Sequence, residues 1–323
     1  MPEHIQQSVK VPDELGNKRF DQVAAQLFPD FSRARLQSWI KDGQLTVDGA
    51  IRKAKDKLIG GELLAIEVTL QAEGEWLPEA MDLPIVFEDE HILVINKPMN
   101  LVVHPAAGNH SGTLLNGLLH HCPSLETIPR AGIVHRLDKD TTGLMVVAKT
   151  LQAQHHLVAQ LQSREMGREY EAVVQGTMTG GGKVVEPIAR HSKDRTKMAV
   201  HPTGKEAITH YRVIKQYPAH THVRVKLETG RTHQIRVHMA HIQHPLVGDA
   251  TYGGKVRFPK GLSQELREVL RQFPRQALHA VHLELHHPAS NDLMQWDVPL
   301  PDDFEALLDE LNYDAEQHHD ESY

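Results

Sequence analysis

Cysteine is nearly absent from this chain of 323 residues, Cys122 being the only one. A lone thiol excludes intramolecular disulfides and a thiolate zinc cage, and it suits a reducing compartment. Long apolar runs are missing as well. The opening MPEHIQQSVKVPDE lacks the apolar centre of a signal peptide and no stretch of 18 apolar residues follows, so a cytoplasmic protein is expected, neither exported nor membrane-spanning. Complete metal and nucleotide motifs are also wanting. His238, His241 and His244 fall at i, i+3 and i+6, and His286-His287 and His318-His319 are adjacent. Yet no HExxH or comparable ligand set is complete, and Pro245 ends the helix just past the third histidine, so no metal is expected. Gly180-Gly181-Gly182 lacks the Lys-Ser/Thr of a phosphate loop and reads as a hairpin turn.

The formal net charge of −7 alone argues against a polyanionic partner, but the charge is unevenly spread. Pro301 to Tyr323 carry nine acids and no bases, which leaves 35 bases against 33 acids in the rest. Residues 190 to 260 hold 14 bases, four acids and nine histidines, and residues 32 to 57 hold seven bases and three acids. Two local basic patches suit a nucleic-acid binder, although a solvated surface has the same composition.

The length fits one large domain or two ordinary ones. In the first 70 residues Ser32 is a good N-cap, and RARLQSWIKDG places Leu36, Trp39 and Ile40 on one helical face with Gly43 as a stop. The strand LTV, a tight Asp48-Gly49 turn and the strand LLAIEV follow. Residues 71 to 82 are acidic and aperiodic and read as a linker. Beyond it come the strands HILVINKP, LMVVAKT, YEAVVQG, THYRVIKQY and THVRVKLE, the last alternating buried and wet positions. Helices are expected at 151 to 164 and from about Thr232, with a final amphipathic FEALLDEL that frays. The mixture predicts an α+β fold: a small N-terminal unit and a larger domain on a mixed, largely antiparallel sheet flanked by helices.

Two polar clusters could carry chemistry. His135-Arg136-Leu137-Asp138-Lys139-Asp140-Thr141-Thr142-Gly143 precedes a buried strand. Asp138 there suits a nucleophile or general base kept ionised by Arg136 and Lys139, or a surface turn held by an ion pair. Glu228-Thr229-Gly230-Arg231-Thr232-His233-Gln234-Ile235-Arg236 joins a strand to a helix, where free N–H groups and Arg231 could hold a phosphate or a buried carboxylate, or form an ordinary cap.

With these residues in view, GIVHRLDKDTTGLMVVAKT at 132 to 150 closely resembles the catalytic motif of the RluA/RluD-type pseudouridine synthases. VINKPMNLVVHP at 94 to 105, REYEAVV at 168 to 174 and LETGRTHQIRVHMAHIQHPLVGDATYG at 227 to 253 resemble further family blocks in the right order. SRARLQSWIKDGQLTVDG resembles an S4 RNA-binding domain. Departures are small: Asn100 stands where many members have Gly, and Asp48 where S4 domains often have Asn.

The resemblance implies an S4-like domain over 1–72, a linker over 73–83, a catalytic domain over 84–312 and an acidic tail over 313–323. It implies isomerisation of uridine to pseudouridine in RNA, without cofactor or metal, by a monomer. Asp138 matches the essential aspartate, attacking sugar or base according to competing schemes. Tyr170 matches the tyrosine that packs on the base, Arg231 the arginine that pairs with the aspartate, and Arg136 the arginine that takes the place of the extruded nucleotide. Arg33, Arg35 and Lys41 are the RNA contacts expected of the S4 unit. Similarity along the chain points to the RluD type, and so to the helix 69 loop of 23S ribosomal RNA. The alternatives are a sister specificity at another 23S uridine, or a non-catalytic RNA-binding ribosome assembly factor.

Overall fold

The computed structural model describes residues 4–70, 76–106, 108–254, 258 and 261–320. The N-terminal unit is a three-stranded antiparallel sheet, β1 (His4–Lys10), β2 (Leu45–Val47) and β3 (Leu63–Thr69), in the order β1-β3-β2. Helices α1 (Phe20–Leu27) and α2 (Arg33–Lys41) join β1 to β2. As its sequence predicts, α2 starts where the Ser32 side chain accepts from the Arg35 N–H, and it buries Leu36, Trp39 and Ile40. Asp48 and Gly49 both adopt positive φ, and Val47 and Ala50 exchange backbone hydrogen bonds across them in a two-residue turn. Strand β1, whose exposed positions alternate with buried Ile5 and the half-buried Gln7 and Val9, is an addition to the expected elements.

The larger unit is a nine-stranded sheet. Its strands are β4 (Ile85–Glu88), β5 (Ile92–Lys97), β6 (Thr142–Ala148), β7 (Gly167–Gln175), β8 (Gly182–Val185), β11 (Ile208–Gln216), β12 (His220–Leu227), β13 (Leu278–His286) and β14 (Leu293–Asp297); β9 (Ile188–Arg190) and β10 (Met198–Val200) form a separate ribbon. The order is β4-β5-β6-β13-β7-β12-β11-β8, with β14 also on β13. Only β6 and β13 pair in parallel among the described strands. There a Cβ on Gly143 would lie 2.3 Å from the Ala280 carbonyl oxygen, so the strands can meet only through glycine.

Helices α3 (Leu114–His121), α4 (Leu151–Ser163), α5 (Gln234–His241), α6 (Gln264–Gln272) and α7 (Asp302–Asp320) flank the sheet. In α4 the Thr150 hydroxyl caps the Ala153 N–H, Leu157 is buried, and Val158 and Leu161 turn toward a cleft.

Three expectations need revision. The Gly180-Gly181-Gly182 run is not a hairpin between neighbours, because β7 is flanked by β12 and β13 while β8 lies at the far edge beside β11. Its glycines instead allow a close approach, since a Cβ on Gly182 would lie 2.5 Å from the Tyr211 hydroxyl. Second, the expected linker is docked over its described part. Asn116 donates to the Leu77 carbonyl at 2.8 Å, and the Glu79 carboxylate accepts from the Gly112 N–H; residues 71–75 lie outside the described residues. Third, α7 runs unbroken across the expected start of the tail at residue 313. It buries Phe304, Leu307 and Leu311 with Leu266 and Leu270 of α6, and buried Asp314 accepts from the Ser263 N–H at 2.7 Å. The amphipathic stripe expected in FEALLDEL is there, but the helix continues through the acidic residues that follow instead of fraying.

Candidate active site

The loop from Ile133 to Thr141 leaves a 3₁₀ turn (Pro129–Gly132) and enters β6, at the centre of the sheet. It is fixed from several sides. His135 Nε2 accepts from the Val146 N–H at 3.0 Å, the Asp138 carbonyl accepts from the Thr141 N–H, and Arg275 donates to the Asp140 carbonyl. Beneath it Lys97, the last residue of β5, is fully buried and donates from Nζ to the carbonyls of Pro98, Leu101 and Lys139, each at 2.9 Å. Burial pushes this ammonium down to about 7, against the pull of Asp140 and Asp138. The loop backbone around Asp138 is therefore set by a network that leaves the carboxylate little freedom.

Asp138 is 15% exposed at the floor of a cleft. Arg236, in the first turn of α5, donates from Nη1 to its Oδ2 at 3.0 Å. The other edge of that guanidinium grips buried Asp249, Nε to Oδ2 at 2.7 Å and Nη2 to Oδ1 at 2.9 Å, and its plane lies 5.0 Å from the Tyr252 ring centre. Burial opposes its charge, but the two carboxylates more than compensate and raise the arginine above its ordinary value. Burial likewise opposes ionisation of Asp249, yet Arg236 and the N–H groups of Thr251 and Tyr252 hold it below the usual carboxylate range.

The structure thus corrects one expected pairing. Arg231 is in the same cleft but donates from Nε to the Glu206 carbonyl at 2.8 Å, and the arginine on Asp138 is Arg236. Arg231 lies ahead of α5, whereas Arg236 lies within it and is carried by the helix over the Asp138 loop. Spacing along the chain does not reveal which of the two faces Asp138.

His233 and Tyr252 join the site, although the sequence signals no particular role for either. His233, with φ at 58°, places Nε2 3.8 Å from Asp138 Oδ1 and shares a 2.6 Å hydrogen bond between Nδ1 and the Tyr252 hydroxyl. Burial lowers its pKa, outweighing Asp138, so at neutral pH the ring is uncharged. Tyr252 in turn accepts from the Met198 N–H at 2.9 Å.

The cleft has two connected lobes meeting at Asp138. One, of about 530 Å³, runs past Tyr170, Arg168, Val158, Leu161 and Gly230. The other, of about 660 Å³, runs past His104, Lys139, Thr251 and Arg275. Arg130, Arg136, Leu137, Asp138, His233 and Arg236 border both. Tyr170, buried on β7, has its phenol raised by burial and by nearby Asp138, so it stays protonated at neutral pH. No carboxylate among the described residues pairs with Arg130 or Arg136, and each lobe is of a size to take a nucleoside.

The basic segment 190 to 260 divides. Arg231, His233, Arg236 and Thr251 line the cleft, whereas Arg224 is tied to Glu169 and Glu171 and Lys215 to Asn312. The three spaced histidines do not converge. His238 is buried between the Thr209 hydroxyl and the Glu186 carbonyl, His244 bonds the Gln175 carbonyl, and His241 is exposed. In the N-terminal unit Arg33 is held by buried Asp21 at 2.7 Å, Lys41 is exposed, and Arg35 sits on the first turn of α2.

A central mixed sheet thus carries a carboxylate with a paired guanidinium in a cleft bordered by Arg130 and Arg136, and comparison with known proteins gives the class as RNA pseudouridylate synthase. The family model for RNA pseudouridylate synthases matches residues 91–241, and the chain belongs to the pseudouridine synthase family. It is 60% identical to ribosomal large subunit pseudouridine synthase D of Pseudomonas aeruginosa, over 98% of this chain and 99% of that one. It is 54% identical to the protein of the same name from Escherichia coli K12, over 99% of each. Among solved structures, human RNA pseudouridylate synthase domain containing 4 is similar at a TM-score of 0.54 and 28% identity, over 71% of this chain and 92% of that one. Human RNA pseudouridylate synthase domain containing 1 gives 0.52 and 25%, over 68% and 84%. The protein is an isomerase of that family. No described helix is long and apolar enough to cross a membrane.

Proposed function

We propose that this protein converts uridines of large-subunit ribosomal RNA to pseudouridine, in the helix 69 loop of 23S RNA, as a cytoplasmic step of ribosome biogenesis. The carrying observation is Asp138, ion-paired at 3.0 Å to Arg236, at the junction of two lobes that share Arg130 and Arg136, cations with no carboxylate partner among the described residues. Near-complete coverage of relatives named for the large subunit supports the substrate.

A stacked uridine cannot reach a carboxylate at a cleft floor, so it must be flipped at a cost of roughly a few kcal/mol. Cations without internal partners are available to RNA phosphates, and a planar guanidinium at position 136 can fill the vacated stack. The Arg236 contact at 3.0 Å holds the Asp138 carboxylate aimed into the cleft. Whether its oxygen adds to the sugar or the base, the N1–C1′ bond breaks, the uracil turns against Tyr170, and a C5–C1′ bond forms. C5 then loses its proton and N1 gains one. The product is an isomer of the substrate, so the reaction needs no oxidant, reductant or co-substrate.

The N-terminal unit supports an S4-like role in holding ribosomal RNA, with Arg33, Arg35 and Lys41 toward the nucleic acid and the chain acting as a monomer. The test is a map of pseudouridines in ribosomal RNA from cells with and without the protein. Loss confined to the helix 69 loop is expected, and loss at another 23S position instead overturns the assigned site.

A further inference from the structure

Arg168 sits in the wall of the Tyr170 lobe without a part in the chemistry above. It is 7% exposed, and no ion pair or hydrogen bond from the described residues reaches its guanidinium; its Nε is buried with no partner. The other buried arginines are treated differently. Arg236 is gripped by Asp249 and Asp138, and Arg275 by Asp303 with three carbonyls. A buried guanidinium left unpaired costs the fold stability, and such cost, inside a cleft, marks a group waiting for a ligand.

Its surroundings define that ligand. Arg168 and Tyr170 are two residues apart on β7 and so project to the same side of the sheet, about 7 Å apart. Opposite, a Cβ on Gly230 would lie 2.6 Å from Nη1, so glycine leaves the room that the guanidinium occupies. Of the other cations lining this lobe, Arg164 is already bound to Glu206 and Glu228, so the carboxylates and not a phosphate satisfy it. A base lying against Tyr170 brings neutral oxygen acceptors to the Arg168 position instead.

We propose that Arg168 donates hydrogen bonds to a carbonyl oxygen of the flipped uracil and so fixes the base and reads its identity. The inference rests on the reading that the uridine attacked by Asp138 lies against Tyr170. Arg168 keeps its protons throughout. Its role is greatest once the N1–C1′ bond has broken, when the negative charge left on the uracil ring spreads onto its carbonyl oxygens and meets a fixed cation in a water-poor site.

The test uses the full-length chain with Arg168→Gln and Arg168→Lys and synthetic helix 69 stem-loops bearing uridine, 2-thiouridine or 4-thiouridine at the target. Sulfur is the poorer acceptor. Arg168→Gln is expected to lower kcat by tenfold or more with a smaller change in KM, to melt no lower than the native protein, and to be partly rescued by Arg168→Lys. One of the two thio substrates should slow the native enzyme yet slow Arg168→Gln no further, the mark of a shared contact. The proposal is overturned if both thio effects simply multiply with the substitution, or if neither thio substrate slows the native enzyme. It is equally overturned if the sensitivity lost in Arg168→Gln is to methylphosphonate linkages beside the target, which would place a phosphate there. Failure of the underlying reading has a separate sign: full activity in Asp138→Asn.

Discussion

Arg236 holds Asp138 with one nitrogen, at 3.0 Å, while its remaining edge is locked to Asp249 at 2.7 and 2.9 Å. The Asp138 carboxylate is thereby tied, through one rigid guanidinium, to the turn that follows α5. Lysine cannot reproduce both contacts, because its ammonium lacks the planar fork. Arg236→Lys should lower kcat by about 100-fold with a smaller change in KM, the scale expected when a reacting group is misplaced by about an ångström. Single-turnover kinetics separate the two, and an unchanged kcat would show that the pair does not position Asp138.

Asp249 should act through Arg236 without touching RNA. Asp249→Asn leaves the guanidinium half-gripped in a buried site, so both a lower melting temperature and a lower kcat are expected, with RNA affinity within about twofold of native on the view that distant groups act independently. Filter binding beside a melting curve tests this. A variant that binds RNA tenfold worse but turns over normally would contradict it.

Arg136 and Arg130 both border the junction of the lobes without an ion-pair partner among the described residues, yet they should behave differently. Arg136→Ala is expected to slow turnover far more than it weakens binding, with the salt dependence of affinity unchanged, because a stacked guanidinium replaces a base and not a counterion. Arg130→Ala should weaken binding and lower the salt slope by about one. Equal losses of turnover and affinity in Arg136→Ala would remove its stacking role.

The N-terminal unit offers a pH test. Burial works against the charge on Asp21, but hydrogen bonds from Arg33, Gln37 and Arg19 prevail and hold its pKa at about 2, below the 3.8 of an unperturbed aspartate. A carboxylate depressed in the folded state contributes stability that is present above pH 3.8 and lost as pH falls through 2. Asp21→Asn should therefore be less stable than native at pH 6, with the gap closing between pH 4 and 2 in acid melts. A gap constant across that window would show that the ion pair is not its source.

Much of this arrangement is legible in the chain. The cap at Ser32, the Asp48-Gly49 turn, the alternation of Val223, Val225 and Leu227, and the helix at 151 are local effects, so local patterns reveal them. What local patterns miss is partnership. Gly180 to Gly182 look like a hairpin until the sheet order puts β12 and β11 between β7 and β8, and the nearer arginine in the motif, Arg231, looks like the partner of Asp138 until α5 presents Arg236. Lys97 illustrates the same point, for nothing in VINKP shows that its ammonium will be buried on three carbonyls beneath a loop some 40 residues further on.

The central claim is that the Asp138 carboxylate performs the isomerisation and the rest of the cleft delivers uridine to it. The direct measurement is pseudouridine formation on a helix 69 stem-loop by the native protein and by Asp138→Asn, with RNA affinity and melting temperature measured on the same samples. Native protein should convert the loop uridines, and Asp138→Asn should form no pseudouridine while folding and binding RNA to within a few-fold of native, since amide and carboxylate are nearly isosteric. Conversion by Asp138→Asn at the native rate would contradict the account.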